Sequence, residues 1–532
     1  MSELFNAAAY LVDRQVASGA GARTAVRCGA VSTSYAELSE LAQAFAGGLR
    51  DLAVHPGDRV MLVCSDRLEL AVGILGALRF GAIAVPVSTM LTGAELAKVL
   101  VDSAARVLVV TPEFAAGACV AAAAAPELDH VIVVDGAEVQ APPRVAVTAW
   151  IEVLAAGRSG GGPTEPVAAT HDDSPALWLY TSGTTGTPKG AMHRHANLRA
   201  VCDTYARDVL RIGPDDSCFS VAKMFFAYGF GNSLLFPLSV GGTAVLEPRR
   251  PSAQVVVERM LQDAPTLFFA GPTFFAALLA ADLPADTFRS VRLCASAGEA
   301  LPAALYRRFT ERFGVEVLDG IGSTEALHIF SSNRDGAVRP GTSGTAVHGY
   351  DLAVRDELGQ PVPDGEPGTL FVRGASLATG YWCRTDASRE VFQGEWLRTG
   401  DTYVRSADGY YACMGRSDDL LKVGGIWVSP AEVEDRLLQH PDVAEAAVVA
   451  VADSDELDKP VAFVVAMPGA QLDEAELVSW CREGLAAFKR PRAVVVVDEL
   501  PKTATGKVQR FRLRELAGTD LLTARAIPSA AP

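Results

Sequence analysis

Residues 181–190 read TSGTTGTPKG and directly follow the apolar run at 176–180. Small hydroxyl side chains and glycines ending in one lysine make up a loop suited to wrapping phosphate. Backbone N–H groups and hydroxyls grip phosphoryl oxygens, glycine lets the chain approach closely, and Lys189 adds positive charge. A Walker loop would need glycine directly before lysine and Ser or Thr after it. Here Thr187-Pro188 separates Gly186 from Lys189, and Gly190 follows. Taken alone, the stretch is equally compatible with a flexible surface loop.

Further stretches place polar side chains among glycines. Residues 296–302 read SAGEALP and 319–325 read DGIGSTE. GYW at 380–382 precedes WLRTGD at 396–401. Residues 415–434 read GRSDDLLKVGGIWVSPAEVE, and 501–510 read PKTATGKVQR. Each has a bland reading by itself. Glu325 is a loop glutamate, Asp401 a turn aspartate after Gly400, and Lys507 a solvated lysine. In this order, the six stretches run from residue 181 to residue 510. Together they resemble the signature of the acyl-adenylate-forming superfamily, which includes acyl- and aryl-CoA ligases, peptide-synthetase adenylation domains and firefly luciferase.

The resemblance implies a reaction in two halves. A carboxylate attacks the α-phosphate of ATP, giving acyl-AMP and pyrophosphate; a thiol then attacks the acyl carbon and AMP leaves. The first half brings anions together, so cations must be placed there. By resemblance, Lys507 bridges carboxylate and α-phosphate, and Glu325 helps hold Mg2+. Lys189, Thr181, Ser182, Gly183, Thr184 and Thr185 meet the phosphates. Mg2+ takes one or two carboxylates plus substrate oxygens, so no metal cluster is expected. Asp401 is implied to accept from both ribose hydroxyls, and Arg416 to reach ribose or phosphate. Ala297, Gly298 and Glu299 line the nucleotide together with Asp319, Gly320, Ile321, Gly322, Ser323 and Thr324. Ile321 stands where many relatives carry an aromatic residue, which leaves aliphatic contacts and backbone to sandwich the adenine. Asp418 matches the family hinge, and hinges sit at element ends. Its motion would withdraw Lys507 and bring in the KVGG hairpin, where Gly424 and Gly425 leave room for a pantetheine arm. FKRPR at 488–492 resembles a CoA-contacting stretch of aryl-CoA ligases. Phe488 would stack on the CoA adenine, with Arg490 and Arg492 near its phosphates.

The acid pocket is implied to use KMFFAYGFGN (223–232) and residues near 320 and 327. Phe226, Ala227, Tyr228, Gly229 and Gly320 form a flat apolar slot, closed by Leu327, His328 and Ile329. These stretches look most like the benzoate-CoA ligase branch. Aromatic and small residues suit a planar ring and leave little depth for an alkyl chain. His328 is the polar pocket residue: it approaches the carboxylate or an ortho substituent, or stacks. The expected protein is an AMP-forming aryl-acid–CoA ligase of benzoate or 2-aminobenzoate type, using ATP, Mg2+ and CoA. One alternative loads a carrier-protein pantetheine instead. A non-catalytic nucleotide-binding relative is the other, and joint retention of Lys189, Glu325, Asp401, Arg416 and Lys507 argues against it.

These residues need a scaffold. The chain has 532 residues, 49% apolar and 21% charged, an ordinary globular composition for two or more folding units. The net charge of −16 argues against a nucleic-acid partner. The nine cysteines are scattered without a C-x-x-C pair, as reduced, mostly buried thiols. His193 and His195 are two apart, poor zinc spacing. The N-terminus lacks a signal-peptide pattern, and the alanine-rich stretch at 115–126 is too short to span a bilayer. A soluble cytoplasmic protein, monomer or homodimer, without membrane contact, is expected.

Buried runs such as RVMLVC (59–64), RVLVV and HVIVV alternate with helical segments such as 68–81, which predicts an α/β fold with parallel sheets. Ligands then sit at the carboxyl ends of the strands. Residues 156–175 read as a connecting loop, 341–414 as a β-rich subdomain, and 420–428 as a hairpin. Ser429, Pro430 and Glu432 predict a helix N-terminus with a capping box, and a further helix is expected over 473–487. The predicted division is a large N-terminal domain, 1–417, binding ATP and acid, and a small mobile α+β domain, 418–532. The tail after Gly518 is expected to fray.

Overall fold

A computed structural model describes residues 4–517 except 137, 160–165, 183–187, 282, 417–420, 424–425, 453–457, 486–488 and 503–507. Two large sheets organise the first part of the chain. In the seven-stranded sheet, Arg59–Val63, Ile83–Pro86, Val107–Val110, His130–Val133 and Ala146–Ala149 pair in parallel. Strand Pro175–Ser182 joins this set and turns back as Pro188–Arg194 in an antiparallel hairpin at the sheet edge. In the nine-stranded sheet, Ser217–Ser220, Thr243–Leu246, Leu267–Ala270, Leu293–Ser296 and Val317–Gly322 run parallel, and Ile329–Ser332 closes back antiparallel. The parallel interiors are apolar on both faces, as LFFA at 267–270 shows: all four residues are buried.

One continuous core joins the sheets, with helices Tyr35–Asp51 and Leu68–Phe80 inside it. Helix Trp150–Ser159 crosses the first of these closely: a Cβ on Gly157 would lie 1.9 Å from the Ala44 carbonyl. This corrects the expected loop at 156–175. Its first four residues finish a helix, because Gly157 serves close packing there rather than a turn. A second core behind the nine-stranded sheet gathers Phe268, Phe275, Phe288, Phe309 and Phe313, with Phe268–Phe288 tilted and four other pairs edge to face. Each buried ring is worth roughly 1.5–3 kcal/mol.

The β-rich expectation over 341–414 is met by a five-stranded sheet that includes Tyr350–Arg355, Pro367–Gly374, Trp396–Arg405 and Tyr411–Arg416. Beyond it, Leu421–Val423 pairs with Ile426–Val428 as the expected hairpin. Strands Val443–Ala452, Asp458–Ala466 and Ala493–Val496 form a separate sheet packed by helices Pro430–Leu438 and Glu474–Gly484. The capping box at 429–432 does not form. Ser429 is the N-cap residue, but its hydroxyl caps nothing, and Glu432 pairs with Lys489 instead. The helix expected over 473–487 ends at Gly484, and Asp473 caps its start through the N–H groups of Ala475 and Glu476.

Candidate functional site

The phosphate-loop residues Gly183, Thr184 and Thr185 lie outside the described residues, as do Asp418, Gly424, Gly425, Phe488 and Lys507. The frame around them is described. Thr181 faces Lys189 across the edge hairpin, with Ser182 opposite Pro188. Tyr180, just before the loop, donates to Asp102 (2.8 Å), which also pairs with Arg384. The base of the loop is therefore tied both to the helix Gly93–Ser103 and to the segment that follows GYW.

That segment lies along the hairpin. Met192 N–H donates to Gly380 O, Thr379 N–H to Met192 O, and Trp382 N–H to Gly190 O. The ladder brings Tyr381 beside two residues singled out from the sequence. Its hydroxyl donates to Glu325 Oε1 at 2.6 Å, and Lys189 Nζ lies 5.5 Å from its ring centroid. A cation, a carboxylate and a phenol thus meet at the carboxyl end of the strand Val317–Gly322. Among the described residues no three His, Cys, Asp or Glu side chains cluster as a metal cage. A lone half-buried carboxylate beside a phosphate-type loop suits Mg2+, an ion that keeps substrate oxygens and water in its shell.

The loop after this strand is held from behind by His193. Its Nε2 donates to the Thr324 carbonyl (2.9 Å), and its Nδ1 accepts from Asn197 Nδ2 (3.1 Å). Burial pushes this imidazole down to about 4, so it is a neutral strut. Ser323 Oγ accepts from Ala326 N–H, and Leu327, fully buried, sits at φ +65°. A buried leucine in the left-handed region costs of order 1–3 kcal/mol and persists only where its surroundings over-determine it. Neither Tyr381 nor His193 had a role assigned from the sequence. Tyr381 stood inside the GYW match without a partner in view, and His193 was weighed only as a zinc ligand.

Asp319, expected on the nucleotide side, is buried. Its Oδ2 accepts from Leu301 N–H (3.3 Å), and its backbone carbonyl accepts from Asn333. Burial raises this carboxyl well above the usual range, with Leu301 N–H and the Ser296 hydroxyl opposing. It therefore fixes the SAGEALP turn from behind, while Gly298 (φ +97°) makes the turn itself. Ala297 is buried, and Glu299 accepts from Thr273 Oγ1 (3.1 Å). Ile321 lies opposite Ser331 and Gly322 opposite Ile329. Asp401 is paired in register with Arg416 on adjacent strands, which puts side by side the two residues expected at the ribose.

Several residues expected to form the acid slot lie together in the fold. Phe226 precedes the short helix Ala227–Phe230; a Cβ on Gly229 would lie 2.1 Å from Lys223 O. Tyr228 Oη donates to the Ala295 carbonyl (2.9 Å), and Gly320 leaves room for Ile329. His328 is buried among Tyr205, Tyr228 and Phe236, with centroids 4.5–5.4 Å away, and its Nε2 donates to Tyr228 O (3.2 Å). Its ring contacts are tilted with Tyr205 and Tyr228 and edge-on with Phe236. Burial pushes it down to about 3, so it offers no charge to a carboxylate. A folded pKa below the unfolded 6.5 contributes stability that is present above pH 6.5 and lost as pH falls toward 3. His328→Asn is therefore expected to lose about 2 kcal/mol less stability than wild type between pH 7 and pH 5. Denaturant midpoints of both proteins at the two pH values check this; equal losses would contradict it.

Of the two arginines expected near CoA, Arg490 is tied through its side chain and Arg492 through its backbone. Arg490 donates to the carbonyls of Leu485 and Arg482, and Arg492 N–H to Pro460 O.

The chain matches the AMP-binding enzyme family over residues 12–382 and the AMP-binding enzyme C-terminal domain over residues 432–507. It is 43% identical to a benzoate–CoA ligase of Thauera aromatica, covering 96% of both chains. Its fold matches the crystal structure of a benzoate CoA ligase from Burkholderia xenovorans LB400 with a TM-score of 0.87 and 44% identity, covering 96% of this chain and 100% of that one. The anthranilate CoA ligase AuaEII, solved in complex with anthranoyl-AMP, matches with a TM-score of 0.89 and 40% identity, over 97% of this chain and 98% of that one.

Proposed function

The chain belongs to the AMP-binding enzyme family, and on that premise we propose that it is an aryl-acid–CoA ligase. It converts a benzoate-sized acid, ATP and CoA to aryl-CoA, AMP and pyrophosphate through an aryl-adenylate. One observation carries this reading: the five residues 324–328 serve both halves of the site. Thr324 is held by His193, Glu325 accepts from Tyr381, over whose ring Lys189 lies, and His328 bonds to the Tyr228 carbonyl. A phosphate-handling group and an aromatic slot are thus built on one short loop, as joining a carboxylate to the α-phosphate requires.

In the first half-reaction, a carboxylate oxygen bonds to the α-phosphorus as the bond to the pyrophosphate oxygen breaks. Lys507 bridges the reacting groups, and Lys189 with the 181–185 loop holds the outgoing phosphates. Glu325 would hold Mg2+, which when bound would neutralise phosphate charge. Asp401 and Arg416 fix the ribose. In the second half, the thiol sulfur bonds to the acyl carbon, its proton is lost to solvent, and AMP leaves. A hinge at Asp418, between 1–417 and 418–532, exchanges Lys507 for the hairpin around Gly424 and Gly425. The split of the two family matches, with 418 in the gap between them, supports that boundary. Phe488, Arg490 and Arg492 flank the CoA approach, Arg490 after releasing its carbonyls. No described helix is long and apolar enough to cross a membrane. A cytoplasmic location is proposed because ATP and CoA are held there.

The slot suits benzoate or 2-aminobenzoate. A pyrophosphate-release screen over benzoate, 2-aminobenzoate, hydroxybenzoates, cinnamate and fatty acids, with and without CoA, tests this. The expected result is aryl-dependent AMP and pyrophosphate, with thioester only when CoA is present. Release of ADP, or a preference for medium or long fatty acids, would overturn it.

A further inference from the structure

One buried carboxylate belongs to none of the six stretches. Asp66 follows the strand Arg59–Val63 of the seven-stranded sheet and is 3% exposed. It reaches across to the other large sheet. Both its oxygens accept from the N–H of Met224, at 3.1 and 3.2 Å, in the turn after the strand Ser217–Ser220. A buried carboxylate with so little solvation is costly unless its partner is fixed. Burial pushes it up to about 6, against the pull of the Lys223 ammonium and the Met224 N–H. Lys223 in turn donates to the carbonyls of Glu247 and Arg249, beyond the strand Thr243–Leu246. Residues 223–224 are therefore pinned from both sheets at once.

The acid slot is built on that turn. Phe226 N–H donates to Lys223 O at 3.0 Å, which sets where the Phe226 ring begins. The Gly229 α-carbon lies so close to the 222–223 backbone that an added Cβ would stand 2.1 Å from Lys223 O and 2.4 Å from Ala222 O. No slack separates the turn from the slot: a shift at Met224 N must move Phe226, Gly229 or both.

We propose that Asp66 is a positioning residue for acid recognition, acting through the Met224 N–H and the Lys223–Phe226 turn to hold the Phe226–Gly229 slot in register. The inference rests on the assignment of that slot to the carboxylic acid. Asp66 itself touches no substrate, so its effect falls on the acid rather than on ATP or CoA.

Steady-state kinetics of D66N and D66A, with each substrate varied in turn, test this. D66N keeps the shape and one acceptor but loses the charge that faces Lys223 and Met224 N–H. Charge-assisted hydrogen bonds are about twice as strong as neutral ones. D66N is expected to raise the KM for the aryl acid about tenfold, with KM for ATP and CoA within about twofold and kcat within about threefold. D66A, which removes the acceptor, is expected to raise the acid KM further. If D66A does not fold, D66N carries the test alone. An unchanged acid KM in D66N overturns the proposal. So does an equal rise for all three substrates, or a lowered thermal midpoint with unchanged kinetics. A wild type that takes an aliphatic acid would defeat the aryl-acid reading but not this one, because the same split would then be read on that acid's KM.

Discussion

Lys507→Ala is expected to slow aryl-adenylate formation by about 10²–10³ while leaving thioester formation from supplied aryl-AMP nearly intact. The reason is where charge develops. In the first half-reaction a carboxylate approaches a polyanion, and negative charge grows on the α-phosphate oxygens. A preorganised ammonium between the two groups is worth most at that moment, in a site from which water is excluded. In the second half the leaving phosphate already exists and the attacking group is a thiol, so the same lysine has nothing to bridge. The C-terminal family match runs through residue 507, within PKTATGKVQR. Pyrophosphate exchange reads the first half, and single-turnover transfer from synthetic aryl-AMP reads the second. Equal impairment of both would show that Lys507 stays in the site throughout, and the proposed domain motion would then have to be abandoned.

The parallel strands were legible in the sequence because both their faces are buried. Runs such as VLVV at 107–110 leave no other reading once the flanking helices are seen. The polar contents of the site were legible only as a set of motifs, since each of Glu325, Asp401 and Lys507 is unremarkable alone. Pairings across long stretches of chain were not legible at all. Tyr381 is 56 residues from Glu325, and Asp66 is 158 from Met224. No periodicity links such residues; only the fold does. The capping box at 429–432 failed for a related reason. The local pattern allowed it, but Lys489 offered Glu432 a charged partner that the pattern could not show. His328 shows what the sequence could not weigh: its type left a polar role and a packing role open, and only the fold reveals the aromatic rings whose desolvation lowers its pKa.

The second large effect is expected at the Glu325–Tyr381 pair, where two substitutions should separate a metal ligand from its support. Glu325→Gln replaces an anion by a neutral amide of the same shape. The fold should survive, because Ala378 N–H reaches the Glu325 backbone carbonyl (2.7 Å) rather than the side chain. The charge that would hold Mg2+ is lost, and adenylation is expected to fall by about 10²–10³, as for other electrostatic groups aimed at a reacting phosphate. Tyr381→Phe removes the hydroxyl that donates the 2.6 Å hydrogen bond to Oε1. A hydrogen bond to a charged group contributes about 1.5–3 kcal/mol, so the loss should be about tenfold to a hundredfold and fall mainly on the KM for ATP. Lys189 stays in place, since its contact with residue 381 is to the ring face, which phenylalanine keeps. The two variants should then respond differently to added metal. Raising Mg2+ refills a site whose carboxylate is merely less well oriented, so Tyr381→Phe should recover much of its rate. Glu325→Gln has no carboxylate to refill and should not. Adenylation measured across a Mg2+ titration decides it. Equal rescue of both variants would remove Glu325 from the metal, and rescue of neither would make Tyr381 a contact of the nucleotide itself rather than a support for the glutamate.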